Sequence, residues 1–214
     1  MTIVITGASR GIGATLAAQY KDAGEEVIGT ARGAGAEAVL DVTNPASHAA
    51  FAASLADRPL DLLICNAGVY LDKGDDLDAG FGPDLWEQSF ATNVTGVFLT
   101  VQSLLPNLRA AKSAKIAIIA SQMGSQTRAP GGSYIYRASK AAAINLGRNL
   151  AVDLKPKGIA VGIYHPGWVR TDMGGDQGEI SVTESAQGLA KRIAALDLAQ
   201  TGAFETWDGR AHPF

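Results

Sequence analysis

Residues 3–13 read Ile3-Val4-Ile5-Thr6-Gly7-Ala8-Ser9-Arg10-Gly11-Ile12-Gly13, an apolar run that passes through three glycines into a helix-like stretch near Ile12–Ala23. A glycine loop set between a first strand and a first helix is the context in which backbone lies directly against a dinucleotide phosphate. A Cβ there would hold the chain off the anion and separate helix from strand, while the helix N-terminus offers free N–H groups and a positive dipole end. The spacing is Gly-x-x-x-Gly-x-Gly, a longer turn than Gly-x-Gly-x-x-Gly.

Outward from this loop the apolar period switches repeatedly between short continuous runs and longer helical patterns. Runs at Ile3–Ile5, Val27–Thr30, Leu62–Cys65, Ile116–Ile119 and Ile159–Tyr164, with a weaker one at Ala38–Leu40, suit strands covered on both faces. Helix-like stretches lie near Pro45–Leu55, Pro83–Leu108, Ser133–Leu154 and Thr183–Leu196, with Pro45 and Pro83 at first-turn positions and Gly24 and Gly158 at helix ends. Such alternation implies right-handed βαβ units in an α/β fold, a doubly wound parallel sheet with helices on both faces. Arg32–Ala36 is too short for a crossover helix, and Gly174–Gly178 reads as a hinge beside a mobile loop.

The chain has 214 residues, 47% hydrophobic and 18% charged, and shows no repeat or charged linker, so residues 1–214 are expected to form one domain. One cysteine, Cys65, excludes an internal disulfide and a thiolate metal cluster, and His48, His165 and His212 have no metal-ligand spacing. A net charge of -3 gives no general attraction to nucleic acid or an anionic membrane. No apolar run approaches the roughly 18 residues of a membrane span, and a strand-like segment starts directly after Met1, so a cytoplasmic location is expected.

The end of the second strand reads Thr30-Ala31-Arg32, without the carboxylate that accepts from an NAD ribose. Arg32, with Arg10 of the glycine loop, can instead bind a 2'-phosphate through charge-assisted hydrogen bonds, which favours NADP(H) over NAD(H). Tyr136 and Lys140 stand at i and i+4 on one helix face. Ser121 follows the Ile116–Ile119 strand and Asn93 lies in the preceding helical stretch, so all four can converge at the carboxyl edge of the sheet. An ammonium beside a phenol is expected to lower the tyrosine pKa from near 10.

At these residues the chain closely resembles the short-chain dehydrogenase/reductase family, over essentially its whole length. The ordered motifs are the glycine loop, Asp41, Asn66-Ala67-Gly68, Asn93, Ser121, Tyr136 to Lys140, and Pro166-Gly167 with Thr171. The resemblance implies cofactor contacts from Gly7, Ser9, Arg10, Gly11, Ile12, Gly13, Arg32, Asp41 at the adenine, Val42, Asn66, Ala67, Gly68, Pro166, Gly167, Val169 and Thr171 at the carboxamide. It also implies that Ser121 polarises a substrate carbonyl, Tyr136 transfers the proton, Lys140 holds the nicotinamide ribose, and Asn93 anchors a relay water. Residues 131–140, 166–175 and 202–209 look like the C-factor and sniffer branch, which leaves two readings open. One is an NADP(H)-dependent oxidoreductase of carbonyls or secondary alcohols, the other a dinucleotide-binding signalling protein with little turnover. Gln122, Met123, Tyr134, Trp168 and Met173 could line an apolar substrate pocket. Family resemblance further implies a homodimer or homotetramer built through the two long helices.

Overall fold

A computed structural model describes residues 1–33, 36–78 and 80–214. Its strands are β1 (Thr2–Thr6), β2 (Glu26–Ala31), β3 (Ala38–Val39), β4 (Leu62–Cys65), β5 (Lys115–Ile119), β6 (Ala160–His165) and β7 (Phe204–Thr206). All pairings among them are parallel, in the order β3-β2-β1-β4-β5-β6-β7. The helices are α1 (Gly11–Asp22), α2 (Pro45–Leu55), α3 (Pro83–Phe90), α4 (Gly96–Ala110), α5 (Tyr134–Leu154) and α6 (Val182–Ala195). The expected doubly wound sheet is therefore present. The abbreviated connection at Arg32–Ala36 falls partly on residues outside the described ones.

Side-chain alternation along the strands builds two cores. Val4, Leu63, Cys65, Ile116 and Ile118 face α2, α4 and α5, meeting Phe51, Leu104, Leu108 and Leu154. Their neighbours Ile3, Ile5, Leu62, Ile64 and Ala117 face α1 and α6, meeting Leu16, Leu189 and Ile193. Each fully buried Ile or Leu contributes roughly 1.5–3 kcal/mol, so a continuously apolar strand is anchored from both sides.

Two departures from the sequence reading matter for the site. The stretch expected as one helix over Pro83–Leu108 is α3 and α4 joined by a π-helical turn, Ala91–Thr95, which carries Asn93. Propensity does not encode such a turn, because it is set by what the extra residue reaches. The edge strand β7 has only three residues, too short for a periodic signal. Gly174–Gly178, read as a hinge, lies in a bonded loop: Gly175 N–H donates to Thr171 O at 2.7 Å and Arg170 donates to Gly178 O at 2.9 Å.

Candidate active site

Switching of the strand order between β1 and β4 opens a crevice beyond the carboxyl ends of the strands. A cavity of about 480 Å³ occupies it, within the range of ligand pockets. One end is the glycine loop. Gly7 and Gly11 take φ of +67° and +56°, a region costly for other residues, and a Cβ on Gly7 would sit 2.9 Å from Ala67 Cα. Asn66 locks the loop from beneath, its Nδ2 donating to Thr6 O and Gly7 O at 3.0 Å each. Thr6 Oγ1 in turn accepts from Asn66 and Ala67 N–H groups at 3.0 Å. The N-cap residue of α1, Arg10, makes no side-chain cap, which leaves the N-terminal N–H groups of the helix for an anion.

Gly7, Ser9, Arg10, Gly11, Ile12, Arg32, Asp41, Val42, Asn66, Ala67, Gly68, Tyr136, Lys140, Pro166 and Thr171 line this cavity. Gly13, Gly167 and Val169 are not among the residues that line it. Arg32 acts electrostatically on Asp41, whose carboxylate is held below its usual range first by Thr43 hydrogen bonds and then by Arg32. Arg10 is not paired with Arg32; it forms an ion pair with Asp172, which closes the two walls of the cleft against each other. Both side chains are about three-quarters exposed, 74% and 77%, so this pair contributes about 1 kcal/mol or less and releases easily. Glu37, the carboxylate closest in sequence to Arg32, turns away to the Gly29 N–H and to Lys21.

At the other end Tyr136, Lys140 and Ser121 come together from α5 and the loop after β5. All three are buried, and Lys140 Nζ lies 5.7 Å from the centre of the Tyr136 ring and 3.1 Å from Ile119 O. The expected lowering of the tyrosine pKa is not found. Burial pushes the phenol up to about 12, against the Ser121 hydroxyl, which works the other way; Tyr70 and Asp72 push it further up. Burial also brings Lys140 down to about 8. Asn93 uses its side chain to fasten chain segments: its Oδ1 accepts from Val69 N–H, and its Nδ2 donates to Val69 O and Ser139 Oγ, each at 2.9 Å.

Among the expected pocket residues, Met173 lines the cavity, whereas Gln122, Met123, Tyr134 and Trp168 do not. Trp168 pins its own loop through Nε1 to Gly174 O at 2.9 Å, and Tyr134 meets Phe81 edge to face. Sequence reasoning missed Tyr70, whose ring stacks on Tyr136 with centroids 4.2 Å apart and planes at 21°.

The residues of the chain matched by the model of the short chain dehydrogenase family are 1–181. The chain is a member of the short-chain dehydrogenase/reductase family. It is 35% identical to 1-hydroxy-2-glutathionyl-2-methyl-3-butene dehydrogenase of Rhodococcus sp. strain AD45, over 97% of each chain. It is 34% identical to C-signal of Myxococcus xanthus, over 77% of this chain and 99% of that one. Its fold superposes on the NADPH-bound carbonyl reductase from chicken fatty liver with a TM-score of 0.90 and 31% identity, covering 100% of this chain and 98% of that one. The short-chain dehydrogenase described here is thus an oxidoreductase by family, and C-signal places the C-factor side of the expected branch among its relatives.

His165, the last residue of β6, is buried beside His212, and its Nδ1 has no hydrogen-bond partner among the described residues. Burial first, and then His212, bring its pKa down to about 4. The folded form thus holds His165 neutral where an unfolded chain, titrating near 6.5, takes up a proton. Its contribution is complete above pH 6.5 and is lost as pH falls toward 4. Urea unfolding should show about 2 to 3 kcal/mol of loss between pH 7 and 4.5 from this group, and His165→Gln should flatten that slope. An unchanged slope in the variant would assign acid sensitivity elsewhere. No described helix is long and apolar enough to cross a membrane, and no described His, Cys, Asp or Glu cluster could hold a metal.

Proposed function

We propose that residues 1–214 act as one NADP(H)-dependent carbonyl reductase domain, reducing an aldehyde or ketone and, in reverse, oxidising a secondary alcohol. The observation that carries this is that Tyr136 and Lys140 line one end of a cleft whose other end is a phosphate loop flanked by Arg32, with the Ser121 hydroxyl bonded to the phenol. The cleft suits a dinucleotide because its glycines leave the backbone open to an anion and Glu37 is turned away from Arg32. When bound, the nicotinamide supplies the hydride.

The chain's own residues do the rest. Loop N–H groups from Ser9 to Ile12 hold the pyrophosphate, and Arg32, with Arg10 freed from Asp172, pairs with the 2'-phosphate. Asp41 and Val42 border the adenine, while Pro166, Gly167, Val169 and Thr171 border the nicotinamide. Lys140 holds the ribose hydroxyls. Ser121 Oγ donates to the substrate oxygen and Tyr136 Oη delivers the proton to it. Burial keeps the phenol protonated at neutral pH, the form the reductive direction starts from, while making it a weaker acid than a solvated tyrosine. A cytoplasmic homo-oligomer formed through the outer faces of α4 and α5, where Phe98 and Val152 are exposed, belongs to the same reading.

NADPH oxidation over a panel of aldehydes, ketones and quinones, with NADH in parallel, tests it. Turnover preferring NADPH is expected, and Arg32→Ala should lower kcat/KM for NADPH by about 10- to 100-fold, the loss of one charge-assisted pair, with NADH little changed. Equal use of both cofactors would overturn the NADP(H) preference. NADPH binding without turnover on any compound would favour the signalling reading that the likeness to C-signal raises.

A further inference from the structure

The helix that carries Tyr136 and Lys140 lacks a cap of its own. Ser133, at its N-cap position, takes φ of +49°, makes no cap hydrogen bond, and shares a hydrogen bond between its hydroxyl and that of Tyr70. The first turn contains no acidic residue. Its free N–H groups are met instead by Asp72, more than 60 positions earlier in the chain and 0% exposed. The Asp72 carboxylate accepts from Ile135 N–H at 2.8 Å and from Tyr136 N–H at 3.2 Å, the second and third N–H groups of the helix. Those are the groups a capping side chain serves, and a carboxylate also complements the dipole at that end.

We propose that Asp72 is a positioning residue for the reaction, its buried carboxylate fixing the main chain of Tyr136 and setting a negative charge beside the phenol. This rests on the carbonyl reductase reading. The segment that carries Asp72 is itself held on three sides. Asn93 clamps Val69, Tyr70 stacks on the Tyr136 ring, and Lys73 donates to Met173 O at 3.1 Å across the cleft. A shift of the catalytic helix is thereby coupled to the loop that borders the cofactor cleft.

The charge has a second consequence. The titratable groups facing Tyr136 are Tyr70 and Asp72 from the segment after β4 and Lys140 from α5, with the Ser121 hydroxyl from the loop after β5. Arg137 is turned onto the carbonyls of Gly132 and Met123, and Arg128 onto Gln122. Asp72 disfavours the phenolate, in the same direction as burial. It therefore keeps Tyr136 in its protonated form and makes the phenolate, the form needed to accept a proton, scarcer.

The test pairs Asp72→Asn, which keeps an acceptor and removes the charge, with Asp72→Ala, which removes both. With tyrosine labelled at Cζ with carbon-13, and Tyr136→Phe assigning the resonance, NMR reads phenol ionisation without any turnover. In Asp72→Asn the midpoint should fall by about half a unit or more, which makes the ionised fraction near pH 10.5 about threefold larger. Reduction by Asp72→Asn should stay within about tenfold of the parent, while Asp72→Ala should lose about 10- to 100-fold in kcat through misplacement of Tyr136. Asp72→Ser, a neutral capping residue, replaces Asp72→Ala if that variant fails to fold. An unmoved midpoint in Asp72→Asn overturns the electrostatic role, even if Asp72→Ala loses activity. Turnover within about twofold of the parent in both variants overturns the positioning role. A protein that reduces nothing on the panel would fail the carbonyl reductase reading, yet the NMR titration would still decide whether Asp72 bears on Tyr136.

Discussion

Tyr136→Phe should lower turnover by roughly 10²- to 10⁴-fold, the share that a positioned general acid contributes, while NADPH still binds within a few-fold of the parent. The ring is buried and stacked on Tyr70 at 4.2 Å, and phenylalanine keeps that packing, so the substitution removes little besides the hydroxyl. A loss in kcat with an unchanged Kd for NADPH by fluorescence titration would locate the effect in proton transfer. Residual turnover above a tenth of the parent would move that proton to another group, with Ser121 next in reach, since its hydroxyl already interacts with the phenol. The burial that raises Tyr136 to about 12 adds a pH expectation. Reduction should hold up toward high pH, because the group stays protonated there, and Lys140, titrating near 8, is the first of the pair to lose its proton.

Much of this arrangement was legible in the sequence because it is local or periodic. The glycine loop announces itself between a strand and a helix, the strands are continuously apolar because both faces are covered, and Tyr136 and Lys140 share a face by helical spacing. What the sequence hid is long-range. Asp72 caps a helix far along the chain, and nothing in Leu71-Asp72-Lys73 distinguishes a buried cap from a solvated turn. The Arg10–Asp172 pair is of the same kind, since Arg10 read naturally as the partner of Arg32 until the fold brought the loop after β6 across the cleft. The direction of the Tyr136 shift was misjudged for a related reason. Spacing reports that an ammonium is near, but it carries no information on how deeply the phenol is buried, and at this site burial is the largest influence on the phenol. The π turn at Asn93 escaped because its extra residue is fixed by bonds to Val69 and Ser139, neither of them close in the chain.

Gly13→Ala should damage cofactor binding more than any other single methyl group added to the chain's glycine loop. The new Cβ would lie 2.4 Å from Gly7 O and 2.5 Å from Asn66 Nδ2, two atoms already hydrogen-bonded to each other at 3.0 Å. Neither is the free end of a flexible side chain. Gly7 is fixed at positive φ against Ala67, and Asn66 also holds Thr6 O, so relief requires α1 to move away from β1 or the Asn66 bond to break. Overpacking of this kind costs about 1–3 kcal/mol of stability. The larger effect falls on the ligand, because the loop N–H groups lose their common aim at the pyrophosphate. A misalignment worth about 1.4–2.8 kcal/mol of binding weakens NADPH by about 10- to 100-fold. Gly82→Ala gives the contrast: nothing lies within 4 Å of its added Cβ, so stability and NADPH affinity should change little. Urea unfolding and NADPH fluorescence titration on the two variants separate the terms. If Gly13→Ala binds NADPH like the parent, the phosphate loop does not depend on close approach of α1 to β1, and the cleft must hold its dinucleotide chiefly through side chains such as Arg32.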